Sequence, residues 1–494
     1  MSDIENNNLT KKRSITTNGI YAIAAKIFEM LVPIIVMPYI LRTLGVSSYG
    51  KIAYIQSLVA YFTLFATMGL SNFALRECSI VRDNEDLFSK KVSQVFTLSL
   101  FTTSLSFLVF YIYVISVPDA RADFLLYSIY SFMIIGAGLN LSWLYYSIER
   151  FDLSSIRDII GKASYLVLCF LLIHNSNDYN LYALIIVFTT SFITFAFNHY
   201  GVWKGRCGAK PRILLDKDFL PNLKAVFFLG LMTLGSKLFS SSDVILTKWL
   251  VKGDGNVSAG LYNTGIMLPL VIEQLTFTIA SVITPRLYKF LGNGDEIQSQ
   301  QLTNKISNAM YFVVVPAVVT FLFFPKELLF LLGGESYLPA TNVLRFYSLI
   351  LLTSVAITLA GTRTYVARRK EKKLFTILVS MAAINILLDF VLIKAIGITG
   401  AAIATLIANV LLMIVELSLE SSWYLVFTSD KIKYLIGGLI VSVFFVLTRL
   451  FIEDKLIAMF VGILLAGAAY MIYMFCVKES TIEIAIQKIH PSKK

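Results

Sequence analysis

Charged side chains inside or at the ends of long apolar runs include Lys26, Glu29, Lys237, Asp243, Lys248, Glu273, Arg363 and Asp389. A charge at the centre of a membrane span costs about 2.5–3.5 kcal/mol, so such residues default to function. Ammonium and guanidinium groups suit phosphates and other anions. Carboxylates suit protons or cations. Lys26 and Glu29 are three apart and share a helix face, where a local ion pair is the plain structural alternative. Ser236, Ser240, Asp243 and Thr247 recur at helical spacing, with Lys237, Ser241 and Lys248 forming an adjacent stripe. A helix so polar cannot face lipid on all sides, and the pattern predicts that it lines a water-filled cavity. Glu273 follows Pro269, and its structural alternative is a salt bridge to Lys237 or Lys248. Asn385 and Asp389, four apart, occupy one face. Lys248 is near enough to a span end to snorkel outward.

Other chemistry is poorly supported. Gly45 to Lys51 reads GxxxxGK, but Ile52 stands where a phosphate loop needs Ser or Thr, and no strand precedes it. Cys78, Cys169, Cys207 and Cys476 have no paired spacing, and His174, His199 and His490 are scattered. No disulfide framework, zinc site, metal or cofactor is expected.

The elements that must hold these residues follow from composition. The 494-residue chain is 57% hydrophobic and 15% charged, with mean hydropathy +0.73. Soluble domains carry about 25% charged residues. The apolar runs have the roughly 20-residue length that crosses a bilayer as a helix. The expected class is therefore an all-α polytopic membrane protein. About fourteen spans are placed at 15–41, 52–75, 93–116, 124–146, 158–174, 181–201, 225–249, 259–284, 307–324, 343–366, 374–394, 400–421, 433–450 and 456–477. The fifth is short and the seventh is charged, so either can mislead a hydropathy scan. Pro33 and Pro38 predict a bend or break in the first span.

Lys and Arg alternate between loops. With both termini cytoplasmic, thirty of the 43 basic residues fall on the inner side, including those of 150–162, 204–224 and 286–305. The net charge of +12 is read as this orientation signal, and no nucleic acid is expected as a partner. No small-x-small cleavage site follows a short apolar core, so the first span is expected to be retained. A charged helix, a glycine turn and a second helix occur twice, around Lys26–Gly50 and Lys237–Gly260. This predicts a duplicated transporter with two pseudo-symmetric six-helix bundles around a central cavity. The expected divisions are a 1–201 lobe, a 202–224 cytoplasmic linker, a 225–421 lobe, and 422–494 carrying two extra helices and a tail.

Several strings carry a family resemblance: the Gly45–Gly50 loop after a charged helix, WLYYSIERF from Trp143, AGLYN from Ala259, PRLYKF from Pro285 and GITGAA from Gly397. With about fourteen spans, the chain resembles the polysaccharide exporters of the MOP (MATE-like) superfamily. Its nearest likeness in character is to the O-antigen unit flippases (Wzx type). Ser147 stands where many members have glycine. The resemblance implies a flippase in a bacterial inner membrane. It would move undecaprenyl-diphosphate-linked oligosaccharide from the cytoplasmic to the periplasmic leaflet by alternating access, coupled to H+ or Na+. Membrane lipids and the polymerase and chain-length proteins of the same pathway are the implied partners. On that footing Lys26, Lys237, Asp243, Lys248 and Arg363 are the diphosphate or sugar contacts. Glu29, Glu273 and Asp389 are the ion-coupling candidates.

Four alternatives remain open at this level. A MATE-type drug or cation antiporter, or a flippase for lipid-linked peptidoglycan precursors, would share the fold. A polytopic polymerase or ligase would need a large outer loop with catalytic groups, and 325–342 supplies none. A passive scaffold would leave the polar seventh span without a purpose.

Overall fold

Helices begin where the sequence supplies caps, and the computed structural model places them there. It describes residues 15–479 except 149, 206, 367, 369, 421 and 427. Some side chains within helices, among them those of 15–27, 29 and 231–241, also lie outside the described set. The Asn84 side chain accepts from the Leu87 amide, opening a helix whose first turn carries Glu85 and Asp86. Asp254, Asp295 and Asp454 cap three later helices in the same way.

The first unit spans Met1–Lys237. Its helices are α1 (Ile15–Thr67), α2 (Leu70–Val81), α3 (Glu85–Ser116), the short α4 (Pro118–Ala122), α5 (Phe124–Gly138), α6 (Ser142–Ser147), α7 (Phe151–Leu172), α8 (Tyr179–Val187) and α9 (Ile193–Trp203). A wide π-type turn, Phe188–Phe192, joins α8 to α9. Helix α1 packs on α3, α5 and α7, and α5 packs on α8. The backbone of α1 stays helical through Pro33 and Pro38 and breaks instead at Gly45 (φ 74°). The expected Gly45–Gly50 loop is thus a one-residue break. Glycine is the residue that enters this conformation without a Cβ penalty.

Helix α10 (Phe219–Leu250) runs across the division between units, which falls after Lys237 and so beyond the 202–224 segment expected to separate the lobes. The second unit, Leu238–Lys494, continues with α11 (Gly255–Gly292), α12 (Glu296–Phe323), α13 (Pro325–Gly333), α14 (Thr341–Ala360), α15 (Glu371–Ile396), α16 (Ile398–Leu419), α17 (Ile432–Phe451) and α18 (Lys455–Cys476). Helix α14 packs on α11, α12 and α16, while α17 pairs with α18 and docks on α12. The turn between α10 and α11 contains Gly253 (φ 105°), so both expected hairpins turn at a glycine with positive φ.

Among the described residues, eleven helical stretches are long and apolar enough to cross a membrane. One of them, Met30–Val81, covers the first two expected spans. The fifth and seventh expected spans are α7 and α10, helical over 22 and 32 residues. Helix α7 is outside that apolar set because it carries Arg157, Asp158 and Lys162. Outward-facing Leu435, Leu439, Leu450, Leu464 and Ile472 give α17 and α18 an apolar exterior, as a lipid-facing pair requires. This is a multi-pass membrane protein.

Ion pairs gather near the start of α15. Lys370 and Lys373 reach Glu420 at 2.6 and 2.7 Å, and these contacts hold the Glu420 carboxyl below its ordinary 4.5. A depressed folded-state pKa contributes stability that is present above about pH 4.5 and lost as pH falls below it. Glu420→Gln is therefore expected to flatten the acid limb of a thermal-stability profile below pH 4.5, with little effect at pH 7 beyond about 1 kcal/mol. An unchanged acid limb would refute the assignment.

Candidate functional site

The polar stripe on α10 leads to a buried carboxyl cluster in the second unit. Asp243 is 4% exposed, and its Oδ2 accepts from the Tyr262 hydroxyl of α11 and, at 2.6 Å, from Thr405 Oγ1 of α16. Ser242 Oγ lies 3.4 Å from Oδ1. Asp389 on α15 is fully buried beside Asp243. Neither Asp389 oxygen has a well-formed hydrogen-bond donor among the described residues. One turn earlier, Asn385 is also fully buried; its amide NH2 lies 3.4 Å from Thr405 Oγ1 and its Oδ1 is unpartnered.

The helix registers explain the convergence. Asn385 and Asp389 are four apart on α15, which presents both along one face. Gly397 (φ 65°) reverses the chain between α15 and α16 and brings Thr405 back against that face. At Gly400 the two backbones are in close approach, leaving no room for a Cβ beside Leu392. Two neighbouring carboxyls in a low-dielectric interior cannot both be charged without compensation. Here compensation comes from no Lys or Arg ion pair among the described residues. The unsatisfied atoms are all oxygens of α15, Asn385 Oδ1 and both Asp389 oxygens, and they sit beside the Asp243 and Thr405 oxygens of α10 and α16. That set suits a proton or a hard cation, which prefers carboxylate, amide and hydroxyl oxygen.

The other sequence candidates are distributed differently. Glu273 on α11 has no ion pair among the described residues. Arg363 follows α14 and is 5% exposed, donating to Glu296 Oε2 and Ser299 Oγ at 3.1 Å each, with its guanidinium over the Tyr424 ring. Arg368 joins Glu296 at 2.7 Å, so Arg363 belongs to an ion-paired network separate from Asp243. Lys248 is half-buried in the last turn of α10. The side chains of Lys26, Glu29 and Lys237 lie outside the described residues.

Sequence reasoning missed Tyr262 and Thr405, which lay in strings read as family markers or close-packing hairpins. It also treated Arg157 and Lys162 as cytoplasmic loop charges. Both are on α7, and Arg157 is 5% exposed. Arg157 holds Asp158 Oδ1 at 2.7 Å, Ser142 Oγ at 2.6 Å and Asn198 Oδ1 at 3.2 Å. Trp143 and Tyr145 of the WLYYSIERF string are buried, with the Tyr145 hydroxyl donating to the Asn198 carbonyl.

A model of the polysaccharide biosynthesis protein family matches residues 15–291, more than half of the chain. The chain belongs to that family. Putative O-antigen transporters are among its relatives. The one from Shigella dysenteriae is 24% identical over 386 residues, covering 78% of this chain and 94% of the relative. The one from Escherichia coli K12 is 23% identical, covering 82% and 98%. The fold is that of lipid II flippase MurJ in an inward closed conformation, with TM-score 0.71, 18% identity, and coverage of 94% of this chain and all of MurJ. A multidrug resistance MATE family transporter of the MOP superfamily, inward-facing, gives 0.61 at 13% identity over 83% and 96%. These relatives are named as transporters and a flippase.

Proposed function

We propose that this protein is an ion-coupled flippase for undecaprenyl-diphosphate-linked oligosaccharide, moving it from the cytoplasmic to the periplasmic leaflet of a bacterial inner membrane. Both termini are cytoplasmic in this reading, as the Lys/Arg distribution favours. The observation that carries the coupling is the Asp243–Asp389 pair, with Asp389 oxygens left unpartnered in a buried site. The family match supports the polysaccharide substrate. Lys26, Lys237, Lys248 and Arg363 are proposed to serve the diphosphate, and Glu29 and Glu273 to assist proton or cation movement.

In the mechanism, H+ or Na+ occupies the oxygens of Asp243, Asp389, Asn385 and Thr405. Binding neutralises the pair and favours whichever conformation holds the carboxyls closest. Release restores their repulsion and favours the other. An ion shifts such an equilibrium only by its differential affinity for the two states. The lipid tail stays in the bilayer while the head group crosses.

A thermal-shift titration of the purified full-length protein tests the site. If the ion is Na+, replacing choline by Na+ at about 100-fold over its Kd is expected to stabilise by about 2.7 kcal/mol. Asp389→Asn is expected to remove that gain. If the ion is H+, Na+ has no effect, and the pH dependence of stability near neutrality disappears in Asp389→Asn. Neither response in wild type would overturn the coupling site.

A further inference from the structure

A second polar cavity lies wholly within the first unit. It measures about 390 Å³, inside the range of about 300–1,000 Å³ typical of small-molecule sites. Its walls include Gln56 of α1, Arg157 and Lys162 of α7, Tyr182 of α8, and Thr190 and Thr194 around the wide turn into α9. The charges do not balance. Arg157 is neutralised by Asp158 at 2.7 Å and already donates to Ser142 and Asn198. Lys162, midway along a 22-residue helix and half-buried, has no ion pair among the described residues. One ammonium charge is therefore left facing a cavity in a membrane-embedded unit, where an uncompensated cation is unfavourable.

The remaining lining is saccharide-like in its demands. Thr190 gives its proton to the Ile186 carbonyl at 2.7 Å, which leaves its oxygen free to accept. Thr194 has no hydrogen-bond partner among the described residues and can donate. Gln56 offers both functions. The position of Lys162 is fixed by its neighbour. A Cβ at Gly161 would stand 2.8 Å from the Thr189 carbonyl, so α7 and the wide turn are in closest contact one residue before the lysine. Wide turns of this type recur at functional sites.

From these juxtapositions we infer that the cavity is a subsite for one oxyanion-bearing sugar group, its negative charge paired with the Lys162 ammonium and its hydroxyls with Gln56, Thr190 and Thr194. The oxyanion is either the carboxylate of an acidic sugar or the phosphate of a sugar phosphate. The inference rests on the flippase reading for its source of sugar.

The test uses full-length protein in nanodiscs, with methyl glucuronide, glucose 1-phosphate and neutral methyl glucoside as probes in ligand-observed NMR. At least one anionic probe is expected to bind tenfold or more tightly than the neutral one. Lys162→Gln is expected to weaken it at least tenfold, while Lys162→Arg keeps it within about threefold, since the charge is retained. Melting temperatures of both variants verify folding. Tighter binding of the glucuronide assigns the site to acidic sugars, and tighter binding of the phosphate assigns it to sugar phosphates. Equal binding of all three probes, or Lys162→Gln indistinguishable from wild type, overturns the inference. If that happens while lipid-linked oligosaccharide is still flipped, only the subsite is wrong. If the anions bind through Lys162 but nothing is flipped, the flippase reading is wrong.

Discussion

Asp389→Asn is expected to reduce gradient-driven transport at least 100-fold while leaving the protein as stable as wild type or more so. The carboxyl is fully buried beside Asp243, with no hydrogen-bond donor from any other described residue. Two such carboxyls cannot both be charged without compensation, and the isosteric amide removes that conflict while keeping the shape. A residue whose loss abolishes function without lowering stability is serving function. Asp243→Asn is expected to lose coupling to a similar degree but with some destabilisation. It is the acceptor for Tyr262 and Thr405, and weakening those bonds costs about 1–3 kcal/mol. Initial rates in proteoliposomes under an imposed ΔpH or Na+ gradient, together with melting curves, separate the two effects. A wild-type rate for Asp389→Asn would remove the cluster from the mechanism.

The second large effect is structural. Gly69→Val is expected to destabilise the first unit by about 3 kcal/mol or more. Gly69 joins α1 to α2 at φ 72°, a conformation that costs an ordinary L-residue about 1–2 kcal/mol. The site is also closed. A Cβ there would lie 2.8 Å from the backbone of Leu229, and one at Gly230 would lie 3.0 Å from Met68. Overpacking of this kind adds about 1–3 kcal/mol. Gly69→Ala is expected to show the smaller part of the same loss. A melting temperature within 1 °C of wild type for Gly69→Val would show that the turn relaxes freely.

What the sequence disclosed follows from which constraints are local. The spans were legible because a bilayer demands about 20 apolar residues in a row, whatever packs against them. Asn385 and Asp389 were legible as a face because four residues make about one helical turn. Thr405 and Tyr262 were not, since their contact with Asp243 spans 162 and 19 residues and depends on which helix faces lie inward. Arg157 was hidden by the rule that placed the spans: its charge left it outside the expected 158–174 span, and Lys162 was counted with the inner-side charges, whereas α7 carries both within the helix. Pro33 and Pro38 were expected to break α1, yet the chain uses Gly45, where positive φ is available without a Cβ clash.

The most direct test of the central claim is flipping of a fluorescent undecaprenyl-diphosphate-linked oligosaccharide in sealed proteoliposomes, with H+ and Na+ gradients imposed in turn. The account predicts protein-dependent movement between leaflets, accelerated by one of the two gradients and lost in Asp389→Asn. Absence of flipping under either gradient, with uptake of organic cations by the same vesicles, would contradict it and favour a drug or cation antiporter.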